Sequence, residues 1–341
     1  MAARTLGSRF RLFLVAGLLL VVLAAAAAAA AVFWWLDQPL PLAGPSVELS
    51  IEAGATPRDI AQAWVAAGVM VSPVWLYEWF RWSGQAKRIR AGSYEIDAGV
   101  SPRQLLAKMV QGQETLESVR FVEGWTMRQM RAELARAPHL KPLTAAMDEI
   151  QLMTALGAPG QRAEGRFFPD TYVYSRNVSD LTVLRRAHRA LQRRLDTAWS
   201  ERTADTPLKS PDEALILASI VEKETGTAAD RGLVASVFVN RLRIGMLLQT
   251  DPTVIYGLGE AFDGNLRKRD LLADTPFNTY TRGGLPPTPI ALPGLASLRA
   301  AVRPEPSKAL YFVARGDGSS VFSENLADHN RAVNKYQRGG R

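Results

Sequence analysis

The chain has 341 residues, 47% of them hydrophobic, and carries a net charge of +8. That length allows two or three small domains with sizeable cores. The absence of cysteine excludes disulfides, thiol nucleophiles and cysteine–zinc sites, and the three histidines, His139, His188 and His329, offer no pair at metal-ligand spacing.

The basic balance suits anionic partners, but it is spread along the chain, and the stretch from Arg185 to Arg194 reads as the solvated face of a helix. No recognisable nucleic-acid-binding motif accompanies the charge, so no nucleic-acid partner is expected.

The first strong signal is N-terminal. Leu12 to Leu36 hold no charge. As a helix the run spans about 37 Å, enough for a hydrocarbon core of about 30 Å. Arg4, Arg9 and Arg11 precede it and Asp37 follows. Residues 1–11 are therefore expected in the cytoplasm, residues 12–36 across the membrane and the rest outside. Ala24 to Ala31 offer small-residue cleavage sites, but the run is far longer than a signal-peptide core of about 7–15 residues, which favours an uncleaved anchor. Pro39, Pro41, Gly44 and Pro45 read as a short stiff linker over 37–46, and the chain from residue 37 onward is expected to fold without the anchor.

Three copies of one helix-start signal follow. Gly54-Ala55-Thr56-Pro57-Arg58-Asp59-Ile60 resembles Gly99-Val100-Ser101-Pro102-Arg103-Gln104-Leu105, and Gly124-Trp125-Thr126-Met127-Arg128-Gln129-Met130 is a third version. Thr or Ser caps the first turn, Pro fits the first helical position in the first two, and Asp or Gln three residues on closes a capping box. Each follows a short stretch of strand character: Val47 to Ile51, Tyr94 to Ile96 and Val119 to Val122. The spacing is irregular, so these are separate strand–turn–helix units and not a solenoid. The aromatic cluster from Trp64 to Trp82 suits core or membrane-proximal packing better than sugar stacking. Residues 119–204 read as a connecting region: an ordered loop, Glu164 to Tyr172, then helical periodicity from Leu181 to Trp199 with a basic face.

Ser210-Pro211-Asp212-Glu213 is a complete helix start, with Ser210 as cap and Glu213 closing the box. The run Ala214 to Val221 is apolar all round, so the helix is expected to be buried, with Gly226 ending it. At 100° per residue Glu222 continues the face of Leu215, Ala218 and Ser219, and Glu224 points nearly opposite. A carboxyl that continues an apolar face is desolvated, which suits a general acid. The alternative is that Glu222, Lys223 and Glu224 are the polar end of a buried helix. Beyond a helical stretch from Val234 to Leu242, polar groups and aromatics stand on loops fixed by Pro and Gly: Gln249-Thr250-Asp251-Pro252, Asn278-Thr279-Tyr280 and Gly284 to Pro289. Such loops suit a carbohydrate cleft, although Asn278 and Asp251 also suit turns.

At these residues the chain resembles the MltG (YceG-like) family of endolytic murein transglycosylases. The similar strings are LASIVEKET (217–225), VFVNRLRIGM (237–246), LQTDPTVIYG (248–257), NTY (278–280) and GLPPTPIALPG (284–294). EGRFFPDTY (164–172) and the tail from Leu310 to Asn330 match too, and the similarity covers about residues 47 to 337. Leu247 and the segment Asp274 to Phe277 depart from the family pattern. The resemblance implies a mixed α+β chain: a single-span anchor, LysM-like strand–helix modules over 47–118, and an α+β catalytic domain over 205–337 outside the inner membrane. It places the acid at Glu222; for the site around it, Gln249, Asn278 and Tyr280 are expected to hold sugar, and Asn240 and Asp251 to support the site. It implies no cofactor and no metal. Glycan strands of peptidoglycan, membrane lipid and peptidoglycan synthases are the implied partners.

The implied chemistry is cleavage between N-acetylmuramic acid and N-acetylglucosamine with closure of a 1,6-anhydro ring. Two alternatives stay open: a two-carboxylate muramidase using Glu222 with Asp251 or Glu224, and a non-catalytic glycan-binding scaffold. Leu310 to Val313 and Ser320 to Ser323 read as a late hairpin, and His329 and Asn330 either serve the site or cap the last helix.

Overall fold

The computed structural model describes residues 3–339. Helix α1 (Ala3–Leu36) is continuous, and within it Val15–Leu36 is long and apolar enough to cross a membrane. Residues 15–34 of that stretch are all exposed, and burial begins only at the end of the helix. This fits a single-pass anchor. From Ala3 the backbone of the expected tail is already part of α1, and residues 1–2 lie outside the described residues. The chain divides into two compact units, Met1–Glu117 with Ser175–Asn177, and Ser118–Tyr174 with Val178–Arg341.

In the first unit α1 is followed by β1 (Ser46–Ile51), α2 (Pro57–Ala67), α3 (Pro73–Trp82), β2 (Gly92–Asp97) and α4 (Pro102–Gln111). The strands pair antiparallel with Val47 opposite Ile96 and Leu49 opposite Tyr94. The alternation sends Val47, Ile51, Tyr94 and Ile96 into a core with Trp64, Leu76, Phe80, Leu105 and Met109. The aromatic cluster splits: Trp64 and Phe80 are fully buried, whereas Trp75 and Trp82 are exposed. The capping boxes form as expected, Thr56 with Asp59 before α2 and Ser101 with Gln104 before α4.

Residues 37–46 depart from the expected linker. They are tied down, with hydrogen bonds from Leu40 N to Val100 O (2.9 Å), Ala43 N to Gly68 O (2.8 Å) and Met70 N to Pro41 O (2.8 Å). Leu36 and Leu40 are buried, and Trp35 packs on the same core. Segment Ser175–Asn177 counts with this unit because Arg176 pairs with Glu48 at 2.7 Å and Glu117 at 3.0 Å.

Strand β3 (Leu116–Arg120) starts earlier than the expected Val119 and pairs with β4 (Thr171–Ser175). β4 was not anticipated, although its pattern is readable: Tyr172 and Tyr174 point inward and Thr171 and Val173 outward. Between them lie α5 (Met127–Arg136), capped by Thr126 and Gln129 as expected, and α6 (Glu149–Ala155). The second unit continues with α7 (Asp180–Ser200), α8 (Pro211–Glu224), α9 (Arg231–Arg243), α10 (Asp251–Leu258), α11 (Lys268–Leu272) and α12 (Leu295–Val302). It closes with the late hairpin, β5 (Tyr311–Ala314) antiparallel to β6 (Ser320–Ser323), and α13 (Leu326–Tyr336).

Helix α8 is the centre of this unit. Leu215, Leu217, Ile220 and Val221 are all fully buried, against α9, α12, α7 and α10. Each such side chain contributes about 1.5–3 kcal/mol on burial, which is why an apolar helix surface needs neighbours on every side. Ser219 is buried too. It donates to Ile216 O at 2.7 Å and accepts from Ile290 N at 3.0 Å, seating the proline-rich segment on the helix. The helix start differs in one detail. Ser210 accepts from Glu213 N at 3.2 Å, but the Glu213 carboxylate reaches Lys209 N (2.6 Å) instead of closing the box on Ser210. The helix ends at Glu224 with Thr225 as its cap, one residue before the expected Gly226.

Candidate active site

The C-terminal turn of α8 carries two carboxylates with different surroundings. Glu222 is nearly buried, its side chain 7% exposed. It accepts from Gly294 N at 2.8 Å and lies 3.8 Å from Arg231. Glu123 stands beside them, close enough that a Cβ on Gly294 would collide with its carboxylate. Burial pushes the Glu123 carboxyl above its ordinary range, and the charge of Glu222 adds to the push. This side of the helix end is thus closed by two loops, Glu123 and Gly294.

Glu224 opens on the other side. It lines a groove of about 530 Å³ together with Gln249, Asp251, Tyr280, Tyr311, His329 and Asn330. Burial pushes its carboxyl up, and the negative charge of Asp251 pushes the same way. A hydrogen bond donated by the Thr250 hydroxyl and the positive charge of Arg241 act in the opposite direction. Tyr280 donates to Asp251 at 2.5 Å, and burial followed by that bond raises the phenol.

The loop that carries these groups is fixed from behind. Gln249 adopts a left-handed backbone, φ 48°, which a residue with a Cβ holds only when its surroundings impose it. Its N–H donates to Thr279 O at 3.1 Å, and Thr250 N donates to the Thr279 hydroxyl at 3.1 Å. Arg241, 7% exposed, donates to Leu248 O at 2.8 Å and Leu310 O at 2.7 Å, joining the loop to the start of β5. Its guanidinium lies 5.3 Å from the centre of the Tyr311 ring, on which His329 also stacks at 5.1 Å. Burial, helped by Arg241, lowers the His329 pKa.

Of the residues expected to hold sugar, Gln249 and Tyr280 line the groove and Asn278 does not. Asn278 is fully buried. Its amide donates to Asp270 O (3.3 Å), Leu271 O (3.0 Å) and Ala273 O (2.6 Å), and its carbonyl accepts from Tyr280 N (2.9 Å). It organises the turn that presents Tyr280. Asn240 lies behind the groove in the same way, donating to Ser307 O at 2.9 Å and Ala309 O at 3.0 Å. Asp251, expected as support, lines the groove itself. Sequence reasoning passed over Arg241 and Tyr311 as groove residues. His329 and Asn330 face the groove and do not cap α13, because Asn325 does, accepting from Asp328 N at 3.0 Å.

The profile of the YceG-like family matches residues 49–335. The chain belongs to the YceG-like family. It is 30% identical over 309 residues to an endolytic murein transglycosylase of Bacillus subtilis, with 85% of each chain covered. An endolytic murein transglycosylase of Streptococcus pneumoniae is 26% identical over 337 residues, covering 88% of this chain and 61% of that longer one. Among solved structures, a YceG-like protein from Listeria monocytogenes superposes with a TM-score of 0.54 at 28% identity, covering 84% of this chain and 98% of the other. The matched family region contains α8, the groove loops and β5.

Proposed function

We propose that the protein is a lytic transglycosylase that cuts peptidoglycan glycan strands endolytically, with Glu224 as its proton donor. The observation that supports this is a carboxyl raised by burial on the wall of a groove lined by Gln249, Asp251 and Tyr280. The relatives named as endolytic murein transglycosylases supply the substrate class. A carboxyl held protonated is what a general acid needs near neutral pH.

In this mechanism Glu224 gives its proton to the oxygen bridging N-acetylmuramic acid and N-acetylglucosamine. The bond from the muramyl C1 to that oxygen breaks. The C6 hydroxyl of the same muramyl sugar bonds to C1, closing the 1,6-anhydro ring, and its proton returns to Glu224. No water is consumed, and the intramolecular nucleophile gains from proximity. Burial, helped by repulsion from Asp251, raises the proton affinity of the donor, and Tyr280 and Gln249 hold the sugars. Glu222, the acid expected from sequence, then fixes the end of α8 through Gly294 and Arg231.

The order β1–α2–α3–β2 with an antiparallel pair supports a LysM-like module that touches glycan. Arg4, Arg9 and Arg11 before the apolar span support a cytoplasmic N-terminus, with the groove on the outer side of the inner membrane near the peptidoglycan synthases. Mass spectrometry of products from purified peptidoglycan tests the chemistry. Strands ending in 1,6-anhydro-N-acetylmuramic acid, absent with Glu224→Gln, are expected. Reducing ends instead would give a hydrolase with Asp251 as the second carboxylate, and unchanged cleavage by Glu224→Gln would remove Glu224 from the chemistry.

A further inference from the structure

A second cavity, of about 700 Å³, lies in the same unit and is not used by the mechanism above. It meets the groove at a shared wall. Glu224 faces the groove and its neighbour Lys223 faces the second cavity; Asp251 faces the groove and its neighbour Pro252 faces the cavity. Adjacent Cα atoms are about 3.8 Å apart, so the two spaces are lined by neighbouring residues of the same two segments.

The two spaces differ in chemistry. The groove presents hydroxyl, amide and carboxylate groups. The cavity is lined by apolar groups, among them Ile255, Tyr256 and Phe262, and by polar ones, among them Lys223, Arg128 and Gln129. Lys223 is exposed and makes one long hydrogen bond, 3.4 Å to Gly124 O, leaving donors free. Arg128 is paired at 3.2 Å with Glu260, whose side chain is 86% exposed, so a ligand carboxylate can displace it at little cost. The other acidic group at the cavity, Glu164, is occupied by Met127 N at 2.9 Å and the Tyr256 hydroxyl at 3.1 Å. Burial pushes its carboxyl up to about 7, so it opposes an anion less than an ordinary glutamate would.

Cations and apolar walls in one cavity suit a short peptide with free carboxylates and alkyl side chains. Resting on the function proposed above, we infer that this cavity is a subsite for the acidic stem peptide that a muramyl sugar carries, held by Lys223 and Arg128 while the sugar lies at Glu224. Recognition of the branch would make the enzyme prefer strands that still carry peptides over denuded ones.

Binding is measured with the full-length Glu224→Gln protein, using uncrosslinked glycan strands with stem peptides intact and the same strands after an amidase has removed them. Peptide-bearing strands are expected to bind about tenfold tighter, as one or two charge-assisted contacts allow. Lys223→Met and Arg128→Gln, each added to that background, are expected to weaken binding of peptide-bearing strands toward the denuded value and leave denuded strands unchanged. Equal affinity of the unaltered background for both strands, no binding of either, or equal losses on both strands in the added variants would overturn the inference. Residual cleavage by Glu224→Gln would count against the proton donor alone, because the affinity ratio is read without turnover.

Discussion

Thr250 donates its hydroxyl proton to Glu224, while its neighbour Asp251 sets a negative charge against the same carboxyl. Consecutive residues thus act on the proton donor in opposite senses. The hydrogen bond favours the ionised form, and the charge of Asp251, added to burial, favours the protonated one.

Paired substitutions should therefore move the pH profile in opposite directions. Asp251→Asn removes the repulsion, so Glu224 ionises at lower pH and the alkaline fall in kcat/KM moves acidward. Thr250→Val removes the hydrogen bond and should move it the other way. Profiles measured on one peptidoglycan preparation decide this; a common direction would mean that Glu224 does not set the alkaline limb.

Glu222 and Glu224 should behave differently on neutralisation. Glu224→Gln is expected to lose about 10²–10⁴-fold in turnover, the usual contribution of a general acid. Glu222→Gln keeps an oxygen for Gly294 N and loses the partner of Arg231, so its main cost should be about 1 kcal/mol of stability. Assaying both variants by product release, with melting temperatures alongside, separates the roles. The reverse ranking would return the proton to Glu222.

Asn278→Ala should act on the fold before it acts on the sugar. The substitution leaves three partly buried carbonyls and the Tyr280 N–H without their partner. A loss of about 3 kcal/mol is expected from denaturant titration, given the cost of buried unsatisfied groups. Normal stability with a raised KM would instead place Asn278 in contact with substrate.

Glu164 gives a pH dependence of stability. Burial holds its carboxyl at about 7 against an ordinary 4.5, with hydrogen bonds from Met127 and Tyr256 offsetting part of the rise. A raised acid favours the folded state fully below the unfolded value, and that contribution disappears as pH climbs through the folded one. Stability should therefore fall by up to about 3 kcal/mol between about pH 4.5 and 7. Glu164→Gln should flatten that slope, as read by denaturant titrations across the range. An unchanged slope would assign the pH dependence to another group.

Much of this architecture could be read from residue order. The three Gly-x-[Thr/Ser] starts became helices α2, α4 and α5 because a capping residue and its partner three positions on act locally, without help from distant chain. The late hairpin followed for the same reason. The orientation of the IVEKET carboxylates is another matter. A helical wheel correctly separates Glu222 from Glu224, but it cannot say which side is covered and by what. Here Glu123 and Gly294 cover the first, and the loop at Gln249 to Asp251 with β5 and α13 forms a groove over the second. The first covering comes from residues about 70 to 100 positions distant, and the second from a loop about 25 positions on together with the far end of the chain. Asn278 shows a related ambiguity. An amide that binds sugar and one that binds three carbonyls have the same letter in a sequence, and only burial tells them apart.

The junction after α1 has a mechanical consequence. Trp35 and Leu36 end a helix that fits a membrane anchor, and both already belong to the core of the first unit; Asp37 is bonded to Arg103 at 2.8 Å. There is no slack between them. Tilt or rotation of α1 in a bilayer is transmitted into the module as from an axle to a wheel, where a leash of loose residues would have absorbed it. Severing the chain after Leu36 would strip side chains out of a folded core as well as detach it from lipid.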